Sequence, residues 1–141
     1  PACLLPSTVA HELAHQRGVA AEQEANFVGV MAATAGGNAA YQYSGWLFGY
    51  LHLSNALYSA DPDLARASYA ALCAEAQADM ADNNAYWKQW EGPVKETGEK
   101  VYTAFLQGYG QELGMRSYGA CVDLLVEEFL PYTTTGGLTA E

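Results

Sequence analysis

The sequence predicts an all-α protein, a compact bundle of about six helices, and three observations support this. Apolar residues recur at helical spacing, and no segment of useful length alternates between polar and apolar residues as a strand would. Helix start and stop signals separate the apolar segments. Half of the 141 residues are hydrophobic, which is enough for a folded core. We therefore expect one domain over residues 1–130 and a flexible, Thr- and Gly-rich tail over residues 131–141.

Capping and breaking residues indicate where the helices begin and end. Ser7 or Thr8 is a suitable N-cap for the first helix, which Gly18 ends. Asp61 followed by Pro62 is the start signal of the fourth helix. The predicted helices cover about residues 7–17, 20–34, 39–58, 62–90, 94–109 and 118–130. The fourth helix is expected to face the core with a stripe formed by Leu64, Ala67, Ala71, Leu72 and Ala78.

The third predicted helix lies in a stretch without Asp, Glu, Lys or Arg, residues 27–60. An uncharged run of this length raises the alternative of a membrane span. The glycine pair at 36–37 interrupts the run, and Gln42, His52 and Asn55 lie inside it. We therefore predict a helix that is apolar on most sides and buried centrally among the others.

Charge and cysteine content exclude several classes of protein. The chain has 16 acidic and 6 basic residues, a net charge of −10, which disfavours nucleic acid and anionic membrane surfaces as partners. Cys3, Cys73 and Cys121 are too far apart in sequence for a zinc knuckle or a redox pair. One disulfide with a free thiol, or three free thiols, are both compatible with this spacing. We expect the chain itself to be soluble.

One motif carries chemistry: His11-Glu12-Leu13-Ala14-His15, of the form His-Glu-x-x-His. On a helix, residues four apart lie on one face, so His11 and His15 can bind one metal ion. Glu12 is adjacent and can take a proton from a metal-bound water without binding the metal. Zinc lowers the pKa of such a water to near 7. The motif thus predicts a Zn²⁺ site with Glu12 as general base.

A zinc site of this kind needs a third protein ligand, and the second predicted helix offers two. Glu22 and Asn26 are four residues apart, so the carboxylate can bind metal while the Asn26 amide steadies a histidine. Glu24 is the alternative ligand, on a face shared with Phe27, Val28 and Met31 that predicts burial. A metzincin pattern is excluded, because its third ligand would fall on Ala21.

The stretch from His11 to Asn26 resembles the gluzincin metalloproteases, the thermolysin-like group, in which Glu-x-x-x-Asp or Glu-x-x-x-Asn supplies the third ligand. The resemblance implies that His11, His15 and Glu22 bind zinc and that Asn26 supports them. Zincins place a sheet upstream of this helix pair, and that sheet is expected to be absent from this chain.

The wider string from Thr8 to Asn26, with later segments at residues 43–45, 117–119 and 122–125, is similar to an uncharacterised bacterial family. Its members carry N-terminal transmembrane helices and an external His-Glu-x-x-His domain. The resemblance implies a full-length protein anchored in the cell membrane, with this domain on the extracellular side.

A second group of residues is a candidate to assist the reaction by stabilising the oxyanion. Tyr118, near Arg116 in a turn before the last helix, is preferred for this role over His52, which is expected to be a satisfied core histidine. Asp123 is expected to be a solvated carboxylate rather than a partner of a metal-bound histidine.

These observations predict a zinc metallopeptidase domain that acts on a peptide or protein substrate, with Glu12 and Tyr118 as catalytic residues. Two alternatives remain open from the sequence. One is a non-catalytic binding or signalling module that a metal stabilises. The other is a hydrolase of a non-peptide amide.

Overall fold

The computed structural model describes residues 1–89 and 117–134, and its regular structure there is helical. A short 3-10 turn, Ala2–Leu4, precedes the helices. These are α1 Leu5–Gln16, α2 Glu22–Thr34, α3 Ala39–Ala60, α4 Pro62–Ala70, α5 Ala74–Lys88 and α6 Ser117–Thr134. No strand occurs within these ranges, and the all-α prediction is confirmed. The helix predicted over residues 94–109 lies outside the described residues.

The start of α1 differs from the prediction. Its N-cap is Leu4, and Pro6 occupies the first turn, where a missing N–H leaves no helix bond unmade. Ser7 is fully buried, and its N–H donates to Ser44 Oγ at 3.0 Å while the Ser44 hydroxyl donates to Ser7 Oγ at 3.0 Å. Thr8 donates to the Leu4 carbonyl instead of capping the helix. The Ser7 N–H is one of the first-turn groups that have no partner within α1, and its bond to Ser44 therefore joins α1 to α3.

Helix α3 lies at the centre of the bundle, in contact with α1, α2, α4 and α6. It approaches α2 closely at Gly45, where an added Cβ would lie 2.8 Å from Thr34 Cγ2 and 2.9 Å from the Cβ of Ala33. Its central position agrees with the sequence, although Tyr41, Trp46 and Tyr58 are exposed. Within the described ranges, no helix combines the length and apolar character that a membrane crossing needs.

The helix predicted over residues 62–90 is two helices, and the predicted inward stripe is wrong. A turn at residues 71–73 separates α4 from α5, so one stripe cannot continue across both. Leu64 is 55% exposed, and of the five predicted positions only Leu72 is even partly buried. The buried residues on these two helices are Ala65, Ala76, Met80 and Asn83.

Two apolar clusters form the core of the described part. One contains Val30 of α2 with Cys121 and Leu125 of α6, and the other contains Leu47 of α3 with Ala76 and Met80 of α5. Helix α6 continues to Thr134, so the first four residues of the predicted tail are helical. All three cysteines are free thiols: Cys121 is buried, Cys3 is partly buried and Cys73 is exposed.

Candidate metal centre

The turn between α1 and α2 brings the predicted ligands together. Gly18 has φ +99°, a left-handed conformation that suits glycine. The Val19 N–H donates to the Ala14 carbonyl at 3.1 Å and the Gly18 N–H donates to the His15 carbonyl at 3.0 Å. This pair of bonds is a Schellman motif, which ends α1 and turns the chain back. Helix α2 then begins at Glu22, alongside the last turns of α1.

His11, His15 and Glu22 lie together at this turn. The two Nε2 atoms are 3.1 Å apart. That of His11 lies 3.6 Å from Glu22 Oε2, and that of His15 lies 3.6 Å from Glu22 Oε1. One ligand atom from each residue falls within 4.8 Å of the others. Atoms that bind one tetrahedral zinc ion at about 2.0–2.2 Å lie roughly 3.3–3.5 Å from one another. The spacing of these three side chains therefore fits a single zinc ion.

The side chains of this group are largely shielded from solvent. Those of His11 and Glu22 are 14% exposed and that of His15 is 27% exposed. Glu22 is the first residue of α2, where the positive end of the helix dipole stabilises a carboxylate. Because water screens this site only in part, a cation bound there would interact strongly with Glu22.

The ring orientation of His15 is set by the backbone. Its Nδ1 lies 2.7 Å from the carbonyl oxygen of Val19. A carbonyl accepts but does not donate, so Nδ1 carries the proton and a neutral His15 has a free lone pair on Nε2. This is the arrangement that metal-binding histidines adopt, with the second ring nitrogen held by an acceptor. The same turn that ends α1 therefore selects the ligand atom of His15.

Glycine at position 29 lets α2 approach α1 beside His11. An added Cβ would lie 3.2 Å from the His11 backbone nitrogen and 3.3 Å from its Cα. Glu22, Asn26 and Gly29 are spaced at four and three residues, so they form one stripe of α2. Asn26 is 3% exposed, but no described hydrogen bond joins it to His11, whose Nδ1 is buried without a partner in the described ranges. The support that Asn26 was expected to give a histidine stays a prediction.

The two other carboxylates near the motif lie outside the group of three. Glu12 is exposed and adjacent to His11 along α1. Glu24 is also exposed, so its predicted burial is wrong. The reason is that Glu22 occupies the face of α2 towards α1, and a residue two positions later points about 200° around the helix. Of the two acidic candidates on α2, Glu22 is the one that the fold brings to the histidines.

His52 is close to this site, and it is not the satisfied core histidine that the sequence predicted. Its Nε2 is buried and has no hydrogen-bond partner among the described residues, while its ring packs edge-on against Phe48. Burial lowers the pKa of His52 from 6.5, and the nearby charge of His11 lowers this pKa further. His52 is therefore held as a neutral imidazole near the histidine pair.

The remaining candidates fall at or beyond the edge of the described residues. Tyr118 lies in the first turn of α6, but the structure does not describe its side chain. Arg116 lies outside the described residues. The catalytic role of Tyr118 stays a prediction. Asp123 is exposed, which agrees with the expectation of a solvated carboxylate.

A comparison with protein families finds a match over most of the chain. Residues 1–126 match the family model described as a protein of unknown function, DUF3810. The chain belongs to the DUF3810 family. No curated protein and no solved structure matches the DUF3810 chain. The expected similarity to an uncharacterised family is thus confirmed in its general form.

The sequence analysis did not predict three features of the DUF3810 site. The Val19 carbonyl and the close contact at Gly29 carry no side-chain signal, so only the path of the backbone reveals them. Gly29 interrupts the apolar stretch of α2, which is a weak hint of close packing. The position of His52 near His11 depends on how α3 crosses α1, for which the local sequence holds no information.

Proposed function

We propose that this chain is the catalytic domain of a zinc-dependent metallopeptidase that hydrolyses peptide bonds. The observation that carries the proposal is the convergence of His11, His15 and Glu22 within 4.8 Å, with Glu12 next to the pair of histidines. Two imidazoles and one carboxylate with an open fourth position are typical of catalytic zinc sites. The likeness of residues 11–26 to gluzincins, which depends on the same residues, favours a peptide as the substrate.

Each of these residues has a defined role in the proposed reaction. His11, His15 and Glu22 would hold the zinc ion, which would supply a Lewis acid and lower the pKa of water bound to it. Glu12 accepts a proton from the attacking water and later donates it to the nitrogen of the leaving amine. The Val19 carbonyl keeps the proton of His15 on Nδ1. Tyr118 is the proposed donor to the oxyanion.

A metal-stabilised, non-catalytic module is the second candidate, and one observation favours it. The three ligands join α1 to α2, and Glu12 is exposed and outside the group. A structural zinc ion normally has four protein ligands, however, and the described residues offer three at this place. A hydrolase of a non-peptide amide would use the same residues, and the choice of a peptide rests on the gluzincin likeness. Membrane anchoring and an extracellular location stay predictions.

The decisive experiment measures zinc and hydrolysis in the same set of variants. Zinc content is determined by elemental analysis after dialysis, and hydrolysis is followed with a quenched-fluorescence peptide library. Glu22→Gln should lower zinc affinity at least tenfold, whereas Glu24→Gln, a matched change two residues away on the same helix, should leave it unchanged. Glu12→Gln should keep zinc and lose hydrolysis by at least a hundredfold.

Each outcome separates the candidates. Zinc bound by the wild type with no hydrolysis of any library peptide would favour the stabilised module. If the wild type binds no zinc, or if Glu24→Gln and Glu22→Gln lose it equally, the site is wrongly assigned.

A further inference from the structure

Helix α2 approaches His11 at two points, which lie at opposite ends of that residue. At the ring, Glu22 Oε2 lies 3.6 Å from Nε2. At the backbone, an added Cβ on Gly29 would lie 3.2 Å from the His11 nitrogen and 3.3 Å from both Cα and Cβ. Seven residues, about two helical turns, separate Glu22 from Gly29, so both lie on the side of α2 that faces α1. The same stripe of one helix therefore contacts both the backbone and the ring of His11.

His15 is held in a different way. Its Nδ1 lies 2.7 Å from the Val19 carbonyl oxygen, in the turn that joins α1 to α2. The three atoms nearest to an added Cβ on Gly29 all belong to His11. Of the two histidines, His11 is therefore the one whose distance from Glu22 depends on the close approach of the helices beyond the turn.

A side chain at position 29 would separate the two helices. Carbon atoms in contact lie about 3.5–4.0 Å apart, so α2 would have to move from α1 by about 0.3 Å or more. The atoms it would meet belong to the backbone and Cβ of a helical residue, and they cannot rotate away. Because the turn at Gly18 holds the other end of the pair, the gap would widen more at His11 than at His15. Metal–ligand distances tolerate only about 0.2 Å of change.

We propose that Gly29 is a positioning residue for the metal centre: the missing side chain at this position holds His11 Nε2 within reach of an ion that His15 and Glu22 also bind. Gly29 touches neither the ion nor the substrate, and it acts through His11. Glycine inside a helix lowers helix stability relative to alanine, and the contact with a metal ligand accounts for its presence here. The inference rests on the proposed function for the ion, but the distance between His11 and Glu22 is a property of the chain without metal.

Gly29→Ala tests the proposal, with Gly49→Ala as its matched control. Both glycines are buried inside helices, and an added Cβ on Gly49 would make a contact of similar length, 3.3 Å, with Cγ1 of Val30. That contact is with a side-chain methyl group of α2 and not with a metal ligand. In zinc titrations of the full chain against a competing chelator, Gly29→Ala should weaken zinc affinity about tenfold. Gly49→Ala should change it less than about twofold.

A second measurement needs no metal. In the zinc-free wild type, nuclear Overhauser contacts should join the His11 ring to the Glu22 side chain and the Gly29 Hα protons to the His11 backbone. Gly29→Ala should weaken the contact between His11 and Glu22, whereas Gly49→Ala should keep it. A purely structural role of Gly29 in helix packing would change the stability of the bundle but neither this contact nor the zinc affinity of the folded chain.

Each outcome decides the proposal. Equal zinc affinity of Gly29→Ala and wild type would overturn it, and so would equal losses in Gly29→Ala and Gly49→Ala. If Gly29→Ala fails to fold, the wild-type contacts decide, and their absence overturns the proposal. If the wild type binds no zinc, the proposed function fails, and the contact between His11 and Glu22 in the zinc-free variants then decides this inference alone. Zinc-dependent hydrolysis that is unaffected by Gly29→Ala at limiting zinc would remove only the role of Gly29.

Discussion

The hydrogen bond from His15 Nδ1 to the Val19 carbonyl has consequences for the partner histidine. With its proton on Nδ1, a neutral His15 can only accept at Nε2, so the contact of 3.1 Å between the two Nε2 atoms requires His11 to donate from Nε2. Zinc binding requires both Nε2 atoms to be unprotonated. The proton of His11 must then move to Nδ1, which is buried and has no hydrogen-bond partner among the described residues.

Zinc should therefore change the tautomer of His11 but not that of His15. When zinc is added at about pH 8, His11 should pass from the Nε2–H to the Nδ1–H form. Long-range ¹H–¹⁵N correlation spectra of the ring nitrogens distinguish the two forms. A change at His15 instead would contradict the role assigned to Val19.

The buried imidazole of His52 should make stability depend on pH. Its pKa is lowered from 6.5, first by burial and second by His11, so near pH 6 the unfolded chain binds a proton more readily at this residue than the folded chain does. The free energy of unfolding should consequently fall as the pH drops from about 7 through 6.5 towards the lower folded pKa. In His52→Gln this part of the fall should be absent, as measured by urea unfolding at a series of pH values. Parallel curves for the two proteins would show that His52 is not held neutral by the fold.

At the scale of elements, the helices are held together by close backbone approaches and by small polar contacts as well as by large apolar side chains. Gly45 brings α3 against α2, and Gly29 brings α2 against α1. The buried Ser7–Ser44 pair joins α1 to α3, and a 2.6 Å bond from the Tyr43 hydroxyl to Asp79 joins α3 to α5. Burial and the bond to Asp79 raise the pKa of Tyr43, so its hydroxyl keeps its proton and remains a donor. The position of α2, and with it Glu22, depends on two of these approaches.

Gly45→Ala should destabilise the bundle. The added methyl group would meet Thr34 and Ala33 at 2.8–2.9 Å, one of the contacts being the Thr34 backbone nitrogen, so α2 and α3 would have to separate. Overpacking of this kind outweighs the higher helix propensity of alanine, and we expect a loss of about 1–2 kcal/mol in the free energy of unfolding. Gly37→Ala, in the turn before α3 with no atom within 4 Å of its Cβ, is the matched control and should change stability by less than about 0.5 kcal/mol. Equal effects of the two changes on urea midpoints would refute the close approach.

At the scale of the whole molecule, the proposed metal centre connects two helices that are both part of the bundle. Helix α1 contacts α2 and α3, and α2 also contacts α6. An ion held by ligands from α1 and α2 would bind the folded chain and not the unfolded one, because unfolding separates the Glu22 carboxylate from the histidines. Its binding free energy therefore adds to the stability of the bundle.

Zinc should raise the melting temperature of the wild type. At free zinc about a hundred times the dissociation constant, the gain is about 2.7 kcal/mol, or roughly 10 °C for a chain of this size. Differential scanning calorimetry with and without a chelator measures this shift. Glu22→Gln should lose most of it and Glu24→Gln should keep it, while an equal shift in both variants would mean that the ion binds elsewhere.

Much of the fold could be predicted because its signals are local. Backbone preferences of a few neighbouring residues determine the helix breaks at Gly18 and at residues 36–38. They also determine the start of α4 after Asp61. The helix predictions were wrong where packing between helices determined the local structure. Ser7 is a good cap by its chemistry but is used as a buried link to α3, and the turn at residues 71–73 splits a stretch whose helix propensity is continuous.

By itself the sequence determined which residues are candidates to bind a metal, because His-Glu-x-x-His on a helix places two imidazoles one turn apart whatever surrounds it. The tertiary structure decided the rest. Only the path through Gly18 and the approach at Gly29 bring Glu22 rather than Glu24 to the histidines, and only the crossing of α3 brings His52 near them. The physical reason is that contacts within one helix follow from residue spacing, whereas contacts between helices depend on the shapes of all the surfaces that pack together.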